Sequence, residues 1–141
     1  MFIKYMSANI NIENWPVVLI TFNNHREKIE LFLQRWKNLY LQKEEFDIIF
    51  DARELSSFSM SDIYKISQFM MDVRQYNPQY CKNTVIVVRN QYLKYLLDII
   101  FSFQKPFTNY YLYISNKEVN LFDLYNQKDL YPEKFTIVKT I

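Results

Sequence analysis

Four short apolar segments, each followed by a polar turn and then by a helical pattern, restrict the fold of this chain more than any other feature. The segments are rich in β-branched and aromatic residues, which favour buried strands. They are "PVVLITF" (16–22), "FDIIF" (46–50), "TVIVV" (84–88) and "YYLYI" (110–114). Because parallel neighbours need long crossover connections, this alternation predicts a mostly parallel sheet with helices packed on it.

Apolar residues at helical spacing predict three helices between and after these strands. The first follows Asn24, the second ends at Asn77-Pro78 and the third stops before Pro106. A shorter fourth helix is predicted from Val119 to Tyr125. The apolar faces of the first three are Ile29, Phe32, Leu33, Trp36 and Tyr40; Ile63, Ile66, Met70 and Val73; and Leu93, Leu96, Leu97, Ile100 and Phe101.

Two more strands are predicted near the termini, in "FIKYM" (2–6) and "FTIVK" (135–139). The predicted fold class is therefore α/β, with one mostly parallel, mixed sheet of four to six strands and about four helices packed on it. The chain has no internal repeat, low-complexity tract or linker, so residues 1–141 are expected to form a single domain.

Glycine is absent from the 141 residues, and several binding motifs depend on it. A phosphate-binding P-loop and the dinucleotide-binding fingerprint need glycines for close backbone approach and tight turns, so both are excluded in their usual form. The RNA-recognition motif with its glycine-aromatic core is also missing. An excess of Asn, Ile, Lys, Tyr and Phe is typical of proteins from AT-rich genomes, viral ones among them.

Charge and apolar runs indicate a cytoplasmic protein. The formal net charge is +2, and basic and acidic residues alternate, as in "HREKIELFLQRWK", so no one-sided basic surface for nucleic acid is expected. No segment has the apolar core of a secretory signal or the roughly 18 to 20 apolar residues of a membrane span. Cys81 is the single cysteine, which fits a reducing compartment.

Polar residues follow the predicted strands where each strand ends. Because the carboxyl ends of parallel strands meet at one edge of a sheet, these residues are expected to form one rim, where open α/β sheets bind partners. Asn24, Asn90 and Asn116 are also placed to cap the helices that follow, and capping is compatible with binding. The rim residues are Asn24, His25, Arg53, Arg89, Asn90 and Asn116.

No catalytic residue, metal site or cofactor is predicted. His25 is the only histidine, so a zinc site of the His-Cys-Cys kind cannot be assembled within one chain. Cys81 precedes a strand and is expected at the opposite end of the sheet from His25, which separates the two as a nucleophilic pair. Asp47 and Asp51 lie more than about 13 Å apart along one strand, too far for a carboxylate pair.

The chain resembles the STAS domain family, named for sulfate transporters and anti-sigma-factor antagonists, and its broader relatives with a lipid-carrier-type α/β fold. The resemblance covers roughly residues 11–125. It depends on "WPVVLITFN", "FDIIFDARELSSFSMSDIYKISQFM", "TVIVVRN" and "YYLYISN". In that family an apolar strand ends in an aspartate, and a loop with a hydrophobic residue leads to an Asp-Ser-Ser turn that opens a helix. Asp51 and Phe58 match this pattern.

The resemblance implies a serine in that turn that a partner kinase phosphorylates. When the chains are aligned on Asp51, the serine position holds Met60, and Ser59 and Ser61 stand on either side. A shift of one residue would place a serine there, and a phosphate at a helix amino terminus is electrostatically favourable. The other interpretation is that Ser59 caps the helix, with Asp62 at its third position in a variant capping box.

These observations predict a non-enzymatic protein-interaction or regulatory domain, which binds another protein or a second copy of itself through residues 56–62 and the following helix. The alternative is a domain that binds a small molecule or a lipid in an apolar cavity under the third helix. That helix carries aromatic residues on more than one face. The residues predicted for the partner-binding or switch loop are Asp51, Ser56, Ser57, Ser59, Ser61 and Asp62.

Overall fold

A computed structural model describes residues 8–22, 29–54, 59–103 and 105–138 of the chain. The strands in these ranges are β1 (Ala8–Asn11), β2 (Val17–Phe22), β3 (Phe46–Asp51), β4 (Cys81–Val88), β5 (Asn109–Ile114) and β6 (Thr136–Val138). The α-helices are α1 (Ile29–Asn38), α2 (Met60–Arg74), α3 (Gln91–Phe103) and α4 (Leu121–Leu130). None of these helices is long and apolar enough to cross a bilayer.

The six strands form one mixed sheet in chain order, from β1 at one edge to β6 at the other. The four central strands, β2 to β5, run parallel to one another. The two edge strands, β1 and β6, pair antiparallel with their neighbours. This arrangement confirms the predicted α/β class with one mostly parallel sheet and four helices.

Helices α1, α2 and α3 pack on the same face of the sheet and share the larger apolar core with it. Their common side follows from the strand order, because right-handed crossovers that always step in one direction place every connecting helix on one face. Trp36 of α1 lies at the centre of this core. Its ring centroid is 4.8 Å from that of Phe69 on α2 and 5.9 Å from that of Phe50 on β3.

Helix α4 covers the opposite face, where Leu124 packs with Val85, Val87 and Phe135 in a second, smaller core. A polar contact fixes α4 to the sheet beside this core. The hydroxyl of Tyr125 donates to Asp47 Oδ2 at 2.5 Å. The other oxygen, Asp47 Oδ1, accepts the backbone N–H of Asn83 at 2.9 Å. The half-buried carboxylate therefore joins β3, β4 and α4.

The predicted bounds of the fourth helix are wrong. The helix begins at Leu121 and runs to Leu130, five residues beyond the predicted end. After Tyr125 its inward position is Lys128, which is 5% exposed and whose ammonium lies 4.1 Å from the Tyr125 ring centroid. Lys128 is buried through its aliphatic stem, but a lysine does not read as an apolar position in the sequence. The apolar spacing that would predict the second half of α4 is therefore interrupted at this residue.

The strand predictions differ from the structure at two further places. Strand β4 begins at Cys81, three residues before the predicted segment, so Cys81 opens the strand and does not precede it. The register between β3 and β4 is irregular just there, because Lys82 and Asn83 both stand opposite the single residue Asp47. The strand predicted in 135–139 corresponds to β6, whereas the one predicted in 2–6 lies outside the described residues.

Removing the Tyr125 hydroxyl should destabilise the fold by about 1.5 kcal/mol, because a hydrogen bond to a partly buried carboxylate would be lost. We expect this decrease for Tyr125→Phe in urea unfolding. Tyr92→Phe is the matched control, because Tyr92 is 54% exposed on α3, and its effect should stay within about 0.5 kcal/mol. Equal free energies of unfolding for the two variants would contradict the proposed role of this contact.

Four weakly acidic groups, three of them buried and one half-buried, oppose ionisation in the folded state. Burial raises the pKa of the Cys81 thiol above its ordinary value of 9.0. Burial is also the largest cause that raises the pKa of Tyr40, Tyr110 and Tyr125 above the ordinary value of 10.0. In the unfolded chain these groups ionise at their ordinary values. The unfolded state therefore gives up protons first as the pH rises, and this favours unfolding.

The free energy of unfolding should consequently be unaffected by these groups below about pH 9 and should fall above it, by about 1.4 kcal/mol per pH unit for each group that the unfolded chain ionises. Urea unfolding at a series of alkaline pH values measures the slope. Tyr110→Phe should reduce the slope above about pH 10, where the unfolded chain would otherwise ionise that phenol. A slope that Tyr110→Phe does not alter would contradict this explanation.

Candidate functional site

The carboxyl ends of β3, β4 and β5 border a polar depression of about 460 Å³, which we call the rim depression. It brings together Asp51 and three of the predicted rim residues, Arg53, Arg89 and Asn116. The shared position follows from the parallel strands, whose ends lie side by side. The lining consists of Asp51, Arg53, Glu54, Arg89, Ser115, Asn116, Lys117 and Glu118.

A two-pronged ion pair lies at the base of the rim depression. Arg53 Nε donates to Asp51 Oδ1 at 2.9 Å, and Arg53 Nη2 donates to Asp51 Oδ2 at 3.0 Å. The side chains are only 20% and 13% exposed, so the pair is shielded from water. The hydrogen bond to Asp51 is the main cause that raises the pKa of Arg53. Both carboxylate oxygens of Asp51 are therefore engaged by a permanent cation.

The same arginine connects three loops. Arg53 Nη1 donates to the backbone carbonyl of Lys117 at 3.2 Å, and Arg89 Nη1 donates to the carbonyl of Arg53 at 3.0 Å. The loops after β3, β4 and β5 are thereby tied to one another. Formal charges around the depression cancel, since three cationic side chains face three carboxylates. This arrangement fixes the loops and creates no excess of either charge for a ligand.

Helix α2 begins at a complete capping box. Ser59 Oγ accepts the backbone N–H of Asp62 at 3.0 Å, and the Asp62 carboxylate accepts the backbone N–H of Ser59 at 3.4 Å. The prediction that Ser59 caps this helix with Asp62 at its third position is confirmed. Ser61 lies between them in the first turn, and its side chain is exposed. The start of α2 is thus fixed while one hydroxyl remains accessible.

The asparagine caps are confirmed at one position and wrong at another. Asn90 caps α3, because its Oδ1 accepts the backbone N–H of Leu93 at 3.1 Å. Asn116 does not cap α4, which begins only at Leu121; Asn120 has that role and accepts the backbone N–H of Asp123 at 3.0 Å. The segment "NLFD" (120–123) has the Asn-x-x-Asp spacing of an N-cap, so this signal was present in the sequence.

Four predicted site residues lie outside the ranges that the structure describes. The rim residues Asn24 and His25 lie outside the described residues, and so do the loop residues Ser56 and Ser57. The described part of the candidate site therefore consists of the rim depression and the start of α2.

The outer surface of α2 carries a row of exposed apolar side chains that the sequence patterns did not single out. Met60, Tyr64 and Met71 are 69%, 63% and 44% exposed. Their spacing of i, i+4 and i+11 places them within about 40° of one another around the helix at 100° per residue. We call these three residues the α2 stripe. The stripe begins at the first helical residue, directly after the capping box.

An apolar cavity of about 60 Å³ lies between the sheet and helices α1, α2 and α3; we call it the core cavity. It is in the region where the alternative interpretation expected a ligand. For comparison, an apolar cavity of about 150 Å³ holds one benzene molecule. The core cavity is lined by Phe32, Trp36, Phe50, Ala52, Ile66, Met70, Thr84, Ile86, Val88, Leu93, Leu97, Ile100, Phe101 and Tyr110.

Within the described ranges, no group of three or more His, Cys, Asp or Glu side chains is placed to hold a metal ion. The one cysteine, Cys81, is 1% exposed and its Sγ lies 3.9 Å from Thr84 Oγ1. Burial raises its pKa, so the thiol stays protonated at neutral pH and is a poor nucleophile.

No protein-family model, no curated protein and no solved structure matches this chain.

Ser59→Ala should destabilise the protein by about 1 kcal/mol, because the first turn of α2 would lose its side-chain acceptor. Ser61→Ala is the matched control, since Ser61 is exposed in the first turn, two residues after Ser59, and is not the N-cap residue. Urea unfolding of both variants measures the difference. Similar losses for the two serines would show that the capping contact contributes little to stability.

Proposed function

We propose that this chain is a protein-interaction domain that binds the apolar surface of a partner protein through the α2 stripe and the start of α2. The observation that carries the proposal is the exposure of Met60, Tyr64 and Met71 along one line of a single helix. Contact between apolar side chains and water is unfavourable, so covering this row with an apolar partner surface would lower the free energy.

The chemistry of the three side chains supports this use. Tyrosine and methionine are enriched in protein interfaces, and tyrosine is among the residues that contribute most to binding when truncated. Tyr64 lies between the two methionines along the helix and presents both a ring and a hydroxyl. Methionine side chains adapt to partner surfaces of different shape. A partner would therefore be anchored on Tyr64 and would pack on the flanking thioethers.

The contacts around the α2 stripe hold the helix that carries these side chains in a fixed position. The capping box holds the first turn, and Gln79 Nε2 donates to the carbonyl of Val73 at 2.8 Å near the carboxyl end. On the side of α1, Lys65 pairs with Glu30 at 2.8 Å. A helix that is held at both ends loses little conformational entropy on binding.

A regulatory role in the cytoplasm fits the resemblance to the STAS family, and we propose it as part of the same function. The proposal is supported by sequential strand-helix units, by a strand that ends in Asp51 and by a serine-bounded helix start at Met60. Ser61 is the exposed hydroxyl beside the stripe. Negative charge placed there would lie next to Met60 and Tyr64 and would alter what the stripe can bind.

Tyr64→Ala should weaken binding of the partner about 30-fold, which corresponds to about 2 kcal/mol for a central interface tyrosine. Tyr95→Ala is the matched control, because Tyr95 is 60% exposed on α3, close to the 63% of Tyr64. Proteins retained from a lysate of the source cells by the wild type and by each variant are quantified by mass spectrometry. Only proteins lost with Tyr64→Ala and kept with Tyr95→Ala support the proposal.

Two further experiments test whether the partner is a second copy of the chain and whether charge at Ser61 regulates binding. Sedimentation of the purified chain tests self-association. If the chain forms a dimer that Tyr64→Ala dissociates, the partner is a second copy of the chain. That result would overturn the proposal that the stripe binds a different protein. Ser61→Glu tests regulation and should change the retained proteins without lowering the free energy of unfolding. Proteins retained equally by all variants would contradict the α2 stripe as the binding surface.

A further inference from the structure

The α2 stripe leads to an arginine whose guanidinium has no partner. Arg74 is in the last turn of α2 and is partly exposed. The guanidinium groups of Arg53 and Arg89 donate to acceptors within the chain, whereas that of Arg74 makes no hydrogen bond or ion pair within the described ranges. A cation in the last turn stabilises a helix through its macrodipole, and this role leaves the guanidinium N–H donors available to a ligand.

Arg74 continues the line of the α2 stripe. It follows Met71 by three residues and, at 100° per residue, lies about 40° from Met60 around the helix. At a rise of 1.5 Å per residue, Met60 and Met71 are about 16 Å apart along the helix axis, and Arg74 lies about 5 Å farther on. The outer surface of α2 therefore carries an apolar row with a cation at its carboxyl end.

A second cation lies at the same end of the helical layer. Lys105 precedes β5 by four residues and is exposed. Two residues later, the ring centroid of Phe107 lies 6.4 Å from that of Phe69, so this segment packs against the carboxyl-terminal half of α2. In the part of the chain that the structure describes, the Lys105 ammonium has no acidic partner either.

The carboxylates on the same helices do not neutralise these cations. Asp72 pairs with Lys37 at 2.6 Å on the side of α1, and Asp98 pairs with Lys94 at 3.2 Å on α3. Asp62 is at the opposite end of α2, in the capping box. The Arg74 end of the row therefore carries positive charge that no described carboxylate compensates.

We propose that the partner segment that covers the α2 stripe carries apolar side chains along about 16 Å and an acidic residue, Asp or Glu, beyond them, which binds Arg74. This depends on the proposed function, since it specifies what the partner of the same stripe carries. A planar guanidinium binds a carboxylate through two parallel hydrogen bonds. The ion pair thus sets the direction in which the partner lies along α2, because a reversed segment would leave both charges unpaired.

Carbodiimide coupling tests for the acidic residue directly. The partner used is a purified protein whose retention is lost with Tyr64→Ala and kept with Tyr95→Ala. Arg74→Lys keeps the charge and provides an amine, which a carbodiimide joins to a contacting carboxylate as an amide. Mass spectrometry of the digested complex should show position 74 linked to an Asp or Glu of the partner.

Affinity measurements with the same partner provide the second readout. Arg74→Gln should raise Kd about 10-fold and weaken its dependence on salt, whereas Arg74→Lys should keep Kd within about threefold of the wild type. Lys82→Gln is the matched control, because it removes the same charge from an exposed side chain outside α2 and α3. Urea unfolding checks that each variant is folded.

The outcomes distinguish this proposal from the proposed function. A crosslink from position 74 to a carboxylate, together with the loss of affinity in Arg74→Gln alone, supports the acidic residue. If Tyr64→Ala weakens binding but Arg74→Gln does not, the acidic residue is overturned and the interaction function stands. A loss of affinity in Arg74→Gln without such a crosslink also overturns it. If no retained protein depends on Tyr64, both proposals fail.

Vesicles of phosphatidylcholine and phosphatidylserine test a membrane as the source of the negative charge. Wild-type chain should not sediment with them. Sedimentation that both Tyr64→Ala and Arg74→Gln abolish would overturn a protein partner.

Discussion

The position of every other feature depends on four parallel strands that lie in chain order. Because β2 to β5 step across the sheet in one direction, their right-handed connections place α1, α2 and α3 on a single face. The large core is therefore one-sided, and the opposite face is left to α4. The same order brings the ends of β3, β4 and β5 together, so that the loops after them can contact one another. Both the core cavity and the rim depression are consequences of this one arrangement.

At the rim, the polar groups mainly form hydrogen bonds with one another. Asp51 ends β3 and engages Arg53 through both oxygens, and Arg53 in turn binds the carbonyl of Lys117. A shielded ion pair of this kind costs desolvation free energy, which additional hydrogen bonds offset. The contacts hold the loop from which the chain continues toward α2. The rim contacts thus tie the loops after β3, β4 and β5 to one another and leave no net charge for a ligand, although the rim lies where open α/β sheets often bind ligands.

The type and order of the strands and helices could be predicted from the sequence more clearly than the residues at which they end. Strand segments such as "TVIVV" and the apolar face of α1 are strongly patterned, and their type and order are as predicted. The end of α4 was not readable, because Lys128 occupies a buried position through its methylene groups. At the candidate site the capping box was readable from Ser59 and Asp62, since it is local. Exposure of the α2 stripe and the cavity beside Trp36 depend on packing between distant segments, which a single sequence does not encode in a local pattern.

Helix α2 has two different faces: its inner face lines the core cavity, and its outer face carries the α2 stripe. Ile66 and Met70 line the cavity, whereas Tyr64 and Met71 point to solvent. The helix is attached to α1 at both ends, by the Lys65–Glu30 pair at 2.8 Å and the Lys37–Asp72 pair at 2.6 Å. These exposed pairs are individually weak, so the position of α2 depends chiefly on the apolar contacts beneath it. The packing around the cavity, more than the surface charges, therefore sets the geometry of the surface that a partner would meet.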